Sequence, residues 1–213
     1  GLNKSIKLAA CDMPSVGAEG FDIFLMPDML VLPEITVDKV EKLANAVENQ
    51  FTKGLPFDVR PMAGGDHVFV CTHANRDERC GIWGIPLYEA LQEEVKRQDA
   101  IAEVYQISHI GGHKFAATCI IYPQGIWYGN LRAEDGARLV GEHLNEERLL
   151  VEHYRGRLGT TACQQVAEAA AARALLNLYS EYESLSVEVH EKNNVAHAQA
   201  FAVIVTGLGG EEK

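Results

Sequence analysis

The chain has 213 residues, 47% of them apolar, and its 19 basic and 30 acidic side chains give a formal net charge of −11. That length suits one large or two small domains at roughly 100–200 residues each, enough to bury a core without disulfides. The acidic balance, with no Lys/Arg cluster to meet phosphates, argues against nucleic-acid binding, and the longest apolar runs, Phe24 to Leu32 and Phe201 to Val205, fall far short of the ~20 residues that span a bilayer.

The opening residues Gly1-Leu2-Asn3-Lys4 carry no signal-peptide core with a small-residue cleavage site. Phe21 to Met26 is rich in β-favouring residues and predicts a buried strand. Thr36 is placed to cap a helix over Val37 to Asn49, with Val40, Leu43, Ala44 and Val47 at helical spacing. Pro56, Pro61 and Gly64-Gly65 then punctuate the chain. His67 to Thr72 predicts a short apolar strand, followed by a polar loop to Cys80-Gly81 and a helix over Pro86 to Arg97. Further strands are expected at Val104 to Ser108, Lys114 to Tyr122 and Ile126 to Tyr128, the last two joined at Pro123-Gln124-Gly125. A helix over Glu134 to Leu144 follows. The order β-α-β-β-β-α, with an antiparallel hairpin around Gly125, fits an α/β sheet of thioredoxin type.

Arg155 to Gly159 reads as a loop, and the alanine-rich Cys163 to Tyr179 has high helix propensity. Leu185 to His190 alternates as a strand does, and Asn193-Asn194 is expected to turn it into a hairpin with His197 to Thr206. Three parts result: an N-terminal α/β extension (residues 1–65), a central unit (66–153) and a C-terminal helix plus hairpin (154–213). Neither flank can bury its strands alone, so the two ends should pack together or onto the middle.

Five cysteines, Cys11, Cys71, Cys80, Cys119 and Cys163, are odd in number and widely spread. A secreted disulfide scaffold would be smaller and denser in cysteine, so a reducing compartment, the cytoplasm, is expected. Cys71 ends a strand and Cys80 starts a helix, which lets both thiols converge at one end of the sheet. His109 and His113 also follow a strand, and Gly111-Gly112 between them permits a tight turn that aims both imidazoles at one point. Two thiolates and two imidazoles form a complete four-ligand set. Separately, the cysteines could be small buried hydrophobes and the histidines polar loop residues; their matching strand-end placement favours a metal centre. Zinc accepts such a set, and so does a [2Fe–2S] cluster with two cysteines on one iron and two histidines on the other. Cysteines and histidines are segregated here, unlike the interleaved Rieske motifs. A dithiol role for Cys71 and Cys80 is disfavoured by the eight-residue spacer and the lack of Cys-x-x-Cys.

The runs Cys71-Thr72-His73 with Cys80-Gly81-Ile82-Trp83-Gly84, His109-Ile110-Gly111-Gly112-His113-Lys114-Phe115-Ala116, Tyr122-Pro123-Gln124-Gly125-Ile126-Trp127-Tyr128-Gly129 and Tyr154-Arg155-Gly156-Arg157, with the helix Gln164 to Ala169, resemble the sucrase/ferredoxin-like family. The resemblance covers Val68 to Arg173. It implies an α+β chain: a thioredoxin-like ferredoxin core carrying N- and C-terminal α/β extensions. It also implies a [2Fe–2S] cluster held by Cys71, Cys80, His109 and His113, with His-x3-His standing where other members of the wider group have Cys-x3-Cys, and electron transfer as the activity. Replacing two thiolates by neutral imidazoles removes two negative charges, so an added electron is less repelled and the potential rises, as in Rieske centres at about −150 to +300 mV against roughly −400 mV for plant-type ferredoxins. The second nitrogen of each ligating imidazole can lose its proton on oxidation, which couples reduction to proton uptake.

His73, Arg76, Arg79 and Lys114 border this set and could tune it or meet a partner; Trp83 reads as packing and Cys119 as core. No nucleophile–base pair stands out, and nothing resembles the paired carboxylates of a glycosidase. The partners expected are redox donor and acceptor proteins, not nucleic acid or membrane, a basic one being steered by the acidic surface. A Cys2His2 zinc scaffold is the alternative function.

Overall fold

Successive side chains of a strand face opposite sides, and in this chain both sides are apolar. The structure is a computed structural model describing residues 6–16, 19–48, 56–75, 77–180 and 201–206. In chain order its elements are β1 (Ile6–Ala10), β2 (Phe21–Met26), β3 (Leu30–Ile35), α1 (Val40–Glu48), β4 (Arg60–Pro61), β5 (Asp66–Cys71), α2 (Glu78–Arg97), β6 (Ala102–Ile107), β7 (Cys119–Tyr122), β8 (Ile126–Tyr128), α3 (Gly136–Arg138), β9 (Tyr154–Arg157), α4 (Ala162–Ser180) and β10 (Phe201–Thr206). Short 3-10 turns occupy Val37–Lys39, His113–Phe115 and Ala133–Asp135, and α3 runs on as a π-helix over Leu139–Asn145.

The strands form two five-stranded sheets, ordered β1-β10-β2-β3-β4 and β6-β5-β7-β8-β9. On β5, Phe69 and Cys71 face the first sheet, where they share a core with Phe24 and Met26 of β2 and Val31 of β3. Val68 and Val70 face the other way and pack against Leu87 and Leu91 of α2 and Leu139 and Val140 of the π-helix. On the far side of the first sheet, Ile23, Leu25, Leu32 and Ile35 cover Leu43 of α1. The layers therefore run helix, sheet, sheet, helix. Strands buried on both faces read as near-continuous apolar runs, and each fully buried Leu or Ile contributes roughly 1.5–3 kcal/mol.

Most elements lie where the sequence puts them. β5 and β6 are parallel, and β7 and β8 form the antiparallel hairpin turning at Gly125. Several differ. The helix expected from Pro86 begins at Glu78, because Asp77 caps it by accepting from the Arg79 N–H at 3.1 Å; Pro86 lies inside it. Thr36 precedes a 3-10 turn and makes no side-chain cap. The strand expected over Lys114 to Tyr122 starts only at Cys119, since Gly112, left-handed at φ +71, turns the chain into the 3-10 segment. Glu134 to Leu144 is helical but mixes 3-10, α and π turns. The expected loop at Arg155 is instead strand β9, paired with β8.

The two chain ends meet, as their inability to bury themselves requires: β10 lies between β1, in parallel, and β2, antiparallel. Both edges of β10 are thus occupied, where the expected hairpin pairs it with Leu185 to His190; that segment and Asn193-Asn194 lie outside the described residues. The sheets are also joined at a corner. The Ser108 N–H donates to the Ala10 carbonyl at 2.7 Å, and the Ala10 N–H donates to Ser108 Oγ at 2.9 Å. No helix among the described residues is long and apolar enough to cross a membrane.

Candidate metal centre

Parallel pairing aligns the carboxyl ends of β5 and β6, with Cys71 opposite Ile107, so the chain leaves both strands at one place. Cys71 is the last residue of β5 and Cys80 lies in the first turn of α2; each is 1% exposed. Gly84, one turn after Cys80, lets the helix lie against the strand end, where a Cβ would come within 2.2 Å of the Cys71 carbonyl oxygen. The two thiols are neighbours in one core cluster, and Cys71 Sγ donates to the Ser108 carbonyl at 3.0 Å. Burial, and then the neighbouring Cys71, push the Cys80 thiol up to about 12.

Ser108 leads directly into the histidine loop. Gly111 and Gly112 both adopt positive φ, +101 and +71, which folds the loop back so that the His109 and His113 rings lie 5.8 Å apart between centroids. His109 is half-buried and His113 exposed. The histidine side also approaches the start of α2. Asp77 is held at about 2, first by its hydrogen bond from Arg79, with the His113 imidazole among the smaller influences. The four candidate ligands thus stand as a thiol pair and an imidazole pair, with the Cys71 thiol hydrogen-bonded to Ser108, the residue before His109. Among the described residues, no three His, Cys, Asp or Glu side chains converge on a single ion position.

The other sequence candidates are placed less uniformly. Arg79 is tied to Asp77 through two nitrogens, at 2.9 and 2.7 Å. His73 is half-buried, its Nδ1 enclosed with no hydrogen-bond partner among the described residues. Arg76 is outside the described residues. Lys114 is exposed over the ring of Phe115. Cys119 is core, its thiol pushed to about 12 by burial. Cys163 is exposed on α4. Cys11 lines a cleft of about 830 Å³ beside the cysteine loop, together with Asp12, Thr72, Asn75 and Gln106.

Three cations near the site have no sequence signal. Arg132 stacks on Trp83 at 3.9 Å and donates to the Ala116 and Leu131 carbonyls. Arg155 stacks on Phe115 at 3.5 Å. Lys7, from β1, donates to the Ile110 carbonyl within the histidine loop at 3.2 Å. Spacing cannot reveal such contacts, because their partners lie far along the chain.

Comparison with known proteins bears on this arrangement. The sequence model of the sucrase/ferredoxin-like family matches residues 2–156. The chain belongs to that family. The match takes in β1 to β4, ahead of the motifs that begin at Cys71. Among curated relatives, a protein from Debaryomyces hansenii called altered inheritance of mitochondria protein 32 is 35% identical over 98 residues, 44% of this chain and 36% of that protein. Its namesake from Meyerozyma guilliermondii is 32% identical over 95 residues, covering 42% and 33%. The chain thus spans about a third of the length of these relatives. Among solved structures, a thioredoxin-like [2Fe-2S] ferredoxin from Aquifex aeolicus aligns with a TM-score of 0.39 and 19% identity, over 46% of this chain and 96% of that one.

Proposed function

We propose that Cys71, Cys80, His109 and His113 hold a [2Fe–2S] cluster and that the protein transfers electrons or senses redox state. The observation that carries this reading is the pairing of the side chains: thiol with thiol, imidazole with imidazole. Each iron of a mixed-ligand cluster takes two protein ligands of one kind, and the donor types fit. When bound, such a cluster takes up or gives up one electron.

The chain's own residues divide the remaining work. Cys71 and Cys80, sealed from water, would hold the inner iron and must lose their protons to do so. His109 and His113 would hold the outer iron. The exposed His113 ring can exchange a proton with solvent at the nitrogen not used for ligation, which couples electron uptake to proton uptake. Gly111 and Gly112 orient the ring pair, and Asp77 fixes the start of the helix that carries Cys80.

Redox donor and acceptor proteins are the proposed partners. A reducing compartment suits the site, because a Cys71–Cys80 disulfide would remove both thiolate ligands. The cytoplasm is the proposed location, and recovery of the protein in a mitochondrial fraction would overturn it.

The test is a visible spectrum of anaerobically purified protein before and after dithionite, with iron and sulfide assayed on the same sample. Red-brown protein that bleaches on reduction, with iron and sulfide in equal amounts, supports the cluster. A midpoint potential that stays flat from acid to strongly alkaline pH overturns the proton coupling. Colourless protein carrying zinc, with no cluster after reconstitution, overturns the whole reading in favour of a zinc scaffold.

A further inference from the structure

Along β1 the alternation is legible in burial: Leu8 is 69% exposed and Ala9 belongs to the core between the sheets. Lys7 shares the face of Ala9. A lysine on a core-facing side is costly unless its ammonium is partnered, and the partners here belong to the histidine loop. Its Nζ donates to the Ile110 carbonyl at 3.2 Å, across 103 positions of sequence, and stands 5.6 Å from the Trp127 ring centroid. Gly111 makes room for it, since a Cβ there would come to 2.9 Å from Nζ. Lys7 is half-buried, and among the described residues it makes no ion pair with a carboxylate. Its place is fixed three residues on, where Ala10 is clamped to Ser108 at the end of β6. Ile110 directly follows His109, so the ammonium sits one peptide from a candidate ligand.

We infer that Lys7 is a positioning residue for the histidine half of the site: it ties down the turn at Ile110-Gly111 and sets one positive charge beside it, raising the reduction potential. This rests on the cluster reading above and assigns a role to the N-terminal sheet. The step affected is the passage of one electron from an external donor to the histidine-held iron, ferric becoming ferrous, with no covalent bond made or broken. A nearby positive charge stabilises the product, which is the more negative state, and does so more strongly away from water.

The test is a mediated dithionite titration, followed by visible absorption, of wild-type protein, Lys7→Met and Lys7→Arg. Lys7→Met should titrate at a lower potential, while Lys7→Arg, which keeps the charge, should stay near wild type. If Lys7→Met fails to hold a cluster, Lys7→Arg decides: uptake at the wild-type potential supports the inference, and loss of uptake overturns it. A wild-type cluster with an unchanged potential in Lys7→Met overturns this inference alone. A wild-type protein that takes up no cluster overturns the cluster reading, and the role of Lys7 with it.

Discussion

Gly84 is the point at which α2 touches the end of β5, and filling it should be costly in a way that can be worked out. In Gly84→Ala the new Cβ would lie 2.2 Å from the Cys71 carbonyl oxygen and 3.2 Å from its carbonyl carbon. Ordinary contact begins at 3.4 Å, so helix and strand must part by roughly 1.2 Å, the difference between those figures. The obstruction is backbone, with no side chain to swing aside, so the overpacking cost falls at the upper end of the usual range, about 3 kcal/mol. Replacing glycine by alanine in a helix returns about 1 kcal/mol, for a net loss of about 2 kcal/mol. In a chain of this size that lowers the melting temperature by about 4–8 °C. Leu87 and Leu91, fully buried on the same helix, would lose contact with Val68 and Val70 as it lifts. Thermal unfolding followed by circular dichroism reads the change. Gly64→Ala is the control, since nothing lies within 4 Å of its added carbon, and should stay within about 0.5 kcal/mol of wild type. A Gly84→Ala protein as stable as wild type would refute the contact.

Three further outcomes are expected. In metal-free protein, iodoacetamide at pH 8 should modify the exposed Cys163 first. Cys80 and Cys119, both pushed to about 12 chiefly by burial, should lag and accelerate about tenfold per pH unit as thiolate accumulates; mass spectrometry showing Cys80 labelled as fast as Cys163 contradicts this. Glu168 of α4 accepts from Arg157 and Tyr154 of β9. Burial alone would raise its pKa, but these hydrogen bonds outweigh burial and hold it below the ordinary 4.5. The stabilisation is therefore complete above 4.5 and lost as pH falls through the lower folded value, so amide exchange in α4 should quicken in acid, and Glu168→Gln should flatten that dependence. Finally, His109→Cys or His113→Cys in cluster-loaded protein should lower the midpoint potential, since each adds a negative charge; an unchanged or raised potential would count against ligation by that histidine.

Local signals carried much of this structure. Short apolar runs rich in β-favouring residues marked β2, β5, β6 and β8, and the glycine pair between His109 and His113 announced a turn of the kind observed. The strand-end placement of Cys71 and His109 follows from those signals, so the outline of the candidate site is legible in the sequence. The start of α2 was less so: Pro86 looks like a first-turn residue, and the stronger cue, Asp77 as a cap, lies in a stretch that otherwise reads as loop. β9 is short, with two arginines and a glycine, and it lacks the alternation that marks a strand. The seat of β10 between β1 and β2, and the reach of Lys7 to Ile110, depend on pairings between distant parts of the chain, for which no window of sequence carries a cue.

That seat of β10 has a consequence for biosynthesis. The sheet that bears Cys71 is complete once Arg157 has been made, whereas β2 keeps an open edge until Phe201–Thr206 arrives. Phe201 emerges roughly 175 residues after the end of β2, a delay of about 9 to 35 seconds at 5–20 residues per second. An unpaired, apolar strand edge is prone to pair with the wrong partner, so the nascent chain passes through a window in which chaperone cover is most valuable. Among the described residues β1 pairs within its sheet with β10 alone, so until then only its clamp to Ser108 at the end of β6 holds it to the rest of the molecule.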